Sequence, residues 1–210
     1  MKTGPIYSYC EQGTQAWLDA RLGIPTCSEL EVLMVDGKLE GGFGVGAYTY
    51  MDRLIGERIT GAEAEPWRGN KSSERGHALE PVVRDLYCLR RELDPGAVKE
   101  IGIVHQFGVG YSPDGLVGND GLIEVKTKLP EKLVSIILAG EVPKEHKAQC
   151  QGGLWVSDRE WIDFIGYWPG MPLCLVRAER DEAYIRKLKQ RVGDFLEIFE
   201  ARLERVLESN

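Results

Sequence analysis

The stretch between residues 112 and 127 constrains the fold more than any other part of the chain. Gly118-Asn119-Asp120-Gly121 is a strong hairpin signal between two short apolar runs. Asp114 precedes this turn and Glu124 follows it. Directly opposed residues of a hairpin lie on the same face of the sheet, and the register decides which residues are opposed. Asp114 opposes Glu124 only if the turn centres on Asn119. We therefore predict a loop of odd length or a bulge here.

Lys126 lies two residues beyond Glu124 and therefore on the same face of the predicted strand. Its apolar neighbours Leu122, Ile123 and Val125 predict a strand that is buried on both faces. A buried Glu and Lys cost several kcal/mol unless they are paired or bind a metal ion. Two carboxylates are a minimal ligand set for Mg²⁺, and a nearby ammonium group can orient a water or stabilise charge on a phosphate. The pattern indicates metal-assisted phosphodiester hydrolysis, and an exposed, ion-paired strand edge is the alternative.

Hydrophobic periodicity predicts an α/β (α+β) fold with a central mixed β-sheet flanked by helices. The chain has 210 residues, which suits a single domain spanning 1–210. Five glycines between 37 and 46 predict a mobile loop. The predicted helices span about 73–91, 129–139, 144–156 and 184–206, and the predicted strands lie within 98–127, 160–168 and 173–177.

Whole-chain properties indicate an intracellular protein. The five cysteines are scattered without a C-x-x-C spacing, so they predict reduced thiols and no zinc or iron–sulfur site. We expect neither a signal peptide nor a membrane span. The net charge of −7 argues mildly against a large nonspecific nucleic-acid footprint. A local excess of lysine surrounds the candidate site, although a solvated helix face is the simpler interpretation of Lys126, Lys128, Lys132, Lys144 and Lys147.

Other polar residues are weaker candidates when each is considered alone. Glu80 falls beside apolar positions of the predicted long helix, where a boundary glutamate is common. Gln149 could hydrogen-bond a metal-bound water, but its periodicity favours a helix-surface amide. Arg21 and Ser28 bracket a loop between two predicted helices and could hold a terminal phosphate, although a surface arginine and an N-cap serine are the default interpretation.

Five motifs nevertheless occur in one order between about residues 13 and 156. They are Trp17-Leu18-Asp19-Ala20-Arg21-Leu22-Gly23 leading to Ser28, Arg75-Gly76-x-x-x-Glu80, Ser112-Pro113-Asp114-Gly115-Leu116, Glu124-Val125-Lys126, and Ala148-Gln149-Cys150-Gln151 followed by Trp155-Val156. Each motif is weak alone. Together they resemble the lambda-exonuclease family of viral recombinases and alkaline exonucleases, whose core is the restriction-endonuclease-like fold.

The resemblance implies a Mg²⁺-dependent exonuclease, with Mn²⁺ as a substitute, that digests one strand of linear duplex DNA from its 5′ end and leaves a 3′ single strand. It also implies a homotrimer that threads DNA ends and works with a single-strand-annealing recombination protein, in the cytoplasm of a bacterial or phage-infected cell. By position, the resemblance implies that the metal ligands are Asp114, Glu124, the Val125 carbonyl and Glu80. It implies that Lys126 acts on the attacking water and that Gln149 completes the site. The implied 5′-phosphate contacts are Arg21, Ser28 and Ser112.

Two alternatives to this function stay open from the sequence. A sequence-specific restriction-type endonuclease would share the Pro-Asp…Glu-x-Lys core, but it would cut closed circular DNA, whereas an exonuclease needs an end. A catalytically silent DNA-binding protein of the same fold is the second alternative. The intact set of Asp114, Glu124 and Lys126 argues against it.

Overall fold

The computed structural model describes residues 4–63 and 71–209, without the side chains of residues 71–74. The strands are β1 (Ile6–Ser8), β2 (Val98–Lys99), β3 (Ile103–Gln106), β4 (Val109–Tyr111), β5 (Gly115–Val117), β6 (Gly121–Thr127), β7 (Trp161–Tyr167) and β8 (Cys174–Glu179). The α-helices are α1 (Gln15–Arg21), α2 (Val45–Thr60), α3 (Lys71–Arg90), α4 (Pro130–Ala139), α5 (Lys144–Ser157) and α6 (Glu182–Glu208). Cys27–Met34 and Glu40–Gly42 are 3₁₀ helices.

A five-stranded mixed sheet forms the centre of the molecule, in the order β2-β5-β6-β7-β8. Strands β6 and β7 are parallel, whereas the other neighbouring pairs are antiparallel. Parallel neighbours need a long crossover connection, which α4 and α5 supply. A smaller three-stranded sheet, β1-β3-β4, lies outside this one. The predicted mixed sheet flanked by helices is therefore confirmed.

Both faces of the central sheet are covered by helices. On one face, Leu122 and Phe164 belong to the main hydrophobic core, which includes buried residues of α2, α5 and α6. On the other face, Ile123 and Val125 pack with Val83 and other residues of α3. Every residue of β6 from Gly121 to Val125 is buried. The predicted burial of this strand on both faces is confirmed.

The C-terminal helix α6 anchors the glycine-rich segment at 37–46. Arg191 of α6 donates from Nε to the carbonyl of Leu33 at 2.7 Å and from Nη1 to the carbonyl of Gly41 at 2.8 Å. Gly41 and Gly42 adopt φ values of 68° and 69°, which glycine tolerates best. The predicted loop is present, and these bonds from a buried arginine anchor it. Its mobility stays a prediction.

The prediction of one long C-terminal helix is confirmed by α6. It begins after Asp181, whose Oδ1 accepts a hydrogen bond from the amide of Tyr184 at 3.0 Å. Its inward-facing residues, including Leu188 and Phe195, are fully buried. None of the helices described in residues 4–63 and 71–209 combines the length and the apolar character that crossing a bilayer requires.

Candidate active site

The hairpin of β5 and β6 has the predicted odd loop. Gly115 pairs with Ile123 and Val117 pairs with Gly121, which leaves a three-residue loop at 118–120. Continuing this register by one residue sets Asp114 opposite Glu124. The prediction that the turn centres on Asn119 is confirmed, and the register brings Asp114 to the level of Glu124.

Arg159, which lies outside the hairpin in the sequence, binds the loop of this hairpin. The side chain is buried, and its Nη1 donates to the carbonyls of Gly118 at 3.1 Å and Gly121 at 2.7 Å. The amides of Glu160 and Trp161 also donate to the carbonyl of Asp120, at 2.9 and 3.2 Å. These contacts tie the hairpin loop to residues that lie about 40 positions further along the chain.

Asp114 is held against the strand that carries its partner carboxylate. Its Oδ2 accepts a hydrogen bond from the amide of Val125 at 2.6 Å, and no residue with a described side chain donates to its Oδ1. Burial and the neighbouring charge of Glu124 raise the pKa of Asp114 well above its usual value. Two carboxylates that share a small, partly dehydrated space in this way are an unfavourable arrangement unless a cation lies between them.

Glu124 is the most buried carboxylate of the site, with 1% of its surface exposed. Its Oε1 accepts from Nζ of Lys126 at 2.6 Å and from Nε2 of Gln149 at 2.5 Å, while its Oε2 accepts from the hydroxyl of Tyr111 at 3.2 Å. The predicted residues Glu124, Lys126 and Gln149 are thus in direct contact. Sequence reasoning missed Tyr111, for which its position next to Ser112 at the end of a short strand was the only signal.

Electrostatics around Glu124 keep its partners in defined protonation states. Burial on its own lowers the pKa of Lys126, but the charges of Glu124 and Asp114 outweigh this effect, so the pKa is raised and Lys126 is an ammonium group. Burial and the charge of Glu124 raise the pKa of Tyr111, so its hydroxyl keeps the proton that it donates. Lys126 therefore acts here as a positive charge and hydrogen-bond donor.

Glu80 makes fewer described contacts with the site than the other predicted carboxylate ligands do. It lies half-buried on α3, and its Oε1 is 3.4 Å from Nδ1 of His77. Its charge contributes to the raised pKa of Asp114, which places it within electrostatic range of that carboxylate. In the described part of the chain, however, no three His, Cys, Asp or Glu side chains converge closely enough to form a metal site. The ligand role of Glu80 stays a prediction.

The chemistry of the donor set fits a hard divalent cation. Asp114 and Glu124 offer carboxylate oxygens, and Val125, the residue after Glu124, offers a backbone carbonyl, so every donor is oxygen, as Mg²⁺ prefers. The mutual repulsion that raises the pKa of Asp114 would be relieved by such an ion.

A second cluster lies around Trp17 on α1. Its indole Nε1 donates to Oγ of Ser112 at 2.9 Å and to the carbonyl of Gly102 at 3.1 Å. The guanidinium of Arg21 lies over the same ring, with Cζ 4.3 Å from the ring centroid. Burial lowers the pKa of Arg21. Trp17 thus connects two of the three predicted phosphate-binding residues, a role that sequence reasoning did not assign to it.

Ser28 reaches this cluster indirectly. It is exposed on the 3₁₀ helix Cys27–Met34, and its Oγ lies 3.3 Å from Oγ1 of Thr26. Thr26 forms a parallel bridge with Gly110, and the amide of Gly110 donates to the carbonyl of Pro25 at 2.9 Å. Since Gly110 is two residues before Ser112, this pairing aligns the segment of Ser28 beside the strand that leads to Ser112. Ser28 makes no described hydrogen bond to Arg21 or Ser112.

A family model of the YqaJ-like viral recombinase domain matches residues 16–160. The chain belongs to this family. The matched region contains all nine predicted site residues, which are Arg21, Ser28, Glu80, Ser112, Asp114, Glu124, Val125, Lys126 and Gln149. None of the curated proteins that were compared with the chain matches it.

Three solved structures of exonucleases are similar to this chain. An alkaline exonuclease from Laribacter hongkongensis is 32% identical, with a TM-score of 0.81 over 93% of this chain and 97% of its own. The same exonuclease in complex with dAMP gives the same values. A phage-related exonuclease from Haemophilus somnus 129PT shares the fold at 19% identity and a TM-score of 0.67, over 87% of this chain and 96% of its own. The predicted relationship to the lambda-exonuclease family is confirmed.

Proposed function

We propose that this chain is a Mg²⁺-dependent exonuclease that digests one strand of linear duplex DNA in the 5′-to-3′ direction and leaves a 3′ overhang for strand annealing. The observation that carries the proposal is the convergence of Lys126 and Gln149 on Oε1 of Glu124, with Asp114 opposite in the hairpin register. Membership of the viral recombinase family and the similarity to an alkaline exonuclease support a DNA exonuclease.

Asp114, Glu124 and the carbonyl of Val125 would hold the cation, and Glu80 is the further candidate ligand. When bound, Mg²⁺ or Mn²⁺ lowers the pKa of a coordinated water and offsets negative charge on the phosphate. Gln149 holds Glu124 in place through its amide donor, and Tyr111 does so from the other oxygen. The carboxylate is thereby fixed in one orientation before the substrate binds.

Lys126 acts in this scheme as a cationic donor. Its raised pKa keeps the proton on Nζ in the metal-free protein. An ammonium group at this position can orient the attacking water and stabilise charge that develops on the phosphate oxygens. Removal of a proton from water by the neutral amine would first require loss of the proton that the two carboxylates retain.

Arg21 and Ser112 supply the elements of end recognition, and Ser28 is the third proposed contact. A guanidinium pairs well with a terminal phosphate through charge-assisted hydrogen bonds. Trp17 orients both the guanidinium of Arg21, through its ring face, and the hydroxyl of Ser112, through its indole nitrogen. A 5′-phosphate bound here would favour hydrolysis at a DNA end over hydrolysis of internal bonds.

The test uses linear duplexes with a 5′-phosphate or a 5′-hydroxyl, and a closed circular duplex, each labelled separately on its two strands. We expect loss of the 5′-phosphorylated strand first, release from its 5′ end, and an intact circle. Asp114→Ala should abolish digestion. Defined fragments from the circle would indicate a restriction-type endonuclease, and absence of any hydrolysis would indicate a silent DNA-binding protein.

We extend the proposal to assembly and cellular setting. The chain would form one nuclease domain over residues 1–210, assemble as a homotrimer around duplex DNA, and deliver its product to a single-strand-annealing protein in the cytoplasm of a bacterial or phage-infected cell. Light scattering of the purified protein should give three chain masses. A monomer at micromolar concentration would contradict the trimer without affecting the proposed hydrolysis.

A further inference from the structure

A cavity of about 390 Å³ lies between α4 and α5, beyond the end of β6. Three lysines line it, and the apolar part of the lining includes residues of both helices and their connection. The lysines are Lys128, Lys132 and Lys144, and the apolar residues include Ile136, Val142 and Pro143. Neither the hydrolytic site nor the end-recognition cluster uses this cavity.

Lys128 is held in the wall of the cavity by a histidine. Only 17% of its side chain is exposed, and its Nζ lies 2.7 Å from Nε2 of His146. Burial and the charges of Lys128 and Lys126 lower the pKa of His146 to about 4, so the imidazole is neutral at neutral pH and its Nε2 accepts this bond. A lysine ammonium has three donors. His146 occupies one of them, and the exposed Glu145 lies 3.7 Å away.

This arrangement argues against the solvated-face interpretation of Lys128. A solvated lysine extends into water, whereas Lys128 is held by a neutral imidazole inside a cavity wall. Lys144 contributes a second cation at the first residue of α5, where the helix dipole also favours an anion. Glu141 and Glu145 oppose these charges on the rim, but three lysines against two glutamates leave the lining net positive.

The residues of the cavity lie close in the chain to residues of the proposed hydrolytic site. His146, which holds Lys128, lies one helical turn before Gln149, which donates to Glu124. Lys128 lies two residues beyond Lys126. A polymer with one negative charge per nucleotide, with one phosphate held by Lys126 and the proposed metal ion, would therefore bring a neighbouring phosphate toward Lys128.

We propose that the cavity between α4 and α5 is a binding site for a backbone phosphate of the DNA strand that enters the active site, with Lys128 and Lys144 as its donors. The inference rests on the proposed exonuclease function, because it takes DNA as the ligand. It adds a contact that positions the strand, separate from the hydrolytic residues and from the recognition of the 5′ end.

The test measures the Kd of a 5′-phosphorylated, fluorescein-labelled duplex by anisotropy, with Ca²⁺ in place of Mg²⁺, across a salt series. Lys128→Gln/Lys144→Gln should raise the Kd about tenfold, as expected for loss of a hydrogen-bonded charge contact. The slope of log K against log salt should fall by about 0.9 for one lost phosphate contact. Lys187→Gln, which removes one exposed charge on α6, is the control and should leave the slope unchanged.

Folding is checked by thermal melting of each variant. If the double variant is unfolded, Lys144→Gln alone gives the test, because Lys144 is exposed and its change does not disturb the core. We expect the single variant to weaken DNA binding severalfold. A wild-type Kd and salt slope in a folded variant would overturn the proposal.

Inhibition by free dAMP distinguishes a strand phosphate from the phosphate of a released nucleotide. We expect the inhibition constant to be the same in wild type and in the lysine variant. A variant that loses inhibition by dAMP but keeps its DNA affinity would overturn the assignment to the strand. Failure of the proposed function is recognised separately, since wild type would then not digest linear duplex DNA from its 5′ end, whereas failure of this inference leaves that digestion intact.

Discussion

The amide of Val125 donates to Oδ2 of Asp114 at 2.6 Å, and this bond joins the two halves of the hairpin at the level of the candidate metal site. The same strand carries Glu124 and Lys126 on either side of Val125 in the sequence. The carboxylate of Asp114 therefore has a structural partner as well as a proposed ligand role, so its substitution affects both stability and activity.

Asp114→Asn should remove activity and stabilise the metal-free protein. The pKa of Asp114 is raised in the folded state, so stability falls as pH rises from its unfolded value of about 4 through the folded value. At neutral pH the amide avoids this cost and still accepts the bond from Val125. We expect a gain of about 1 kcal/mol, or roughly 2–4 °C in Tm. Adding Mg²⁺ should raise the Tm of wild type but not of the variant, and equal shifts in both would contradict ligation by Asp114.

Lys126→Met should destabilise the metal-free protein as well as inactivate it. The substitution leaves the buried carboxylate of Glu124 without its cation, and breaking a buried pair costs about 3 kcal/mol. The double variant Lys126→Met/Glu124→Gln should recover most of the lost stability, because it has no unpaired carboxylate at position 124. It should not recover activity. Urea unfolding of the four proteins of this double-mutant cycle measures the coupling. Additive effects of the two changes would show that the pair is not coupled.

His146→Gln should reduce the decrease in the free energy of unfolding that accompanies acidification. The pKa of His146 is about 4 in the folded protein and about 6.5 when unfolded. The unfolded chain therefore binds a proton between these pH values that the folded protein does not, and stability falls as pH decreases through this window. Gln keeps an acceptor for Lys128 but does not titrate. Urea unfolding at pH 7 and pH 5 should show a smaller difference for the variant, and an unchanged difference would contradict the assignment.

Arg21→Gln should lower the preference for 5′-phosphorylated ends. Loss of one charge-assisted contact predicts a fall of roughly tenfold or more in kcat/KM for the phosphorylated duplex, with little effect on the hydroxyl-ended one. Trp17→Phe should lower the same ratio by less, because the ring remains under the guanidinium while the bond to Ser112 is lost. Parallel losses on both substrates would indicate a general structural effect.

Gly153→Ala should displace Tyr111, which contacts Glu124 of the candidate site. A Cβ at this position would lie 2.6 Å from Cζ of Tyr111, whose hydroxyl donates to Glu124. We expect a loss of about 1–3 kcal/mol from overpacking, together with lower kcat. Gly193→Ala on α6 is the matched control, since nothing lies within 4 Å of its added Cβ and alanine favours helix. That control should be slightly more stable than wild type, and equal behaviour of the two variants would exclude the contact with Tyr111.

Local patterns predicted the parts of the site that lie within one hairpin. The odd turn, the alignment of Asp114 with Glu124, and burial of β6 on both faces all follow from alternation and turn chemistry. The sequence resemblance also brought Gln149 to the site, where it contacts Glu124. For these residues, spacing along the chain or position within a motif carries the information.

Contacts made across the fold were not predictable in the same way. Tyr111 reaches Glu124, and Trp17 connects Arg21 to Ser112, because tertiary packing brings separate segments together. The glycine-rich segment was expected to be mobile because its composition is flexible, but the composition does not show that Arg191 binds its carbonyls. Such partners depend on three-dimensional proximity, which no local pattern encodes.

The hydrogen bonds from Arg159 to the hairpin loop have a consequence for synthesis of the protein. Asp114 and Glu124 leave the ribosome well before Arg159 and the strand β7 that pairs with β6. Until that later segment emerges, the carbonyls of Gly118 and Gly121 lack the hydrogen bonds from Arg159, and β6 lacks its parallel neighbour β7. We therefore expect the proposed hydrolytic centre to assemble late in synthesis, and a chain that terminates before residue 159 to lack the packing that supports it.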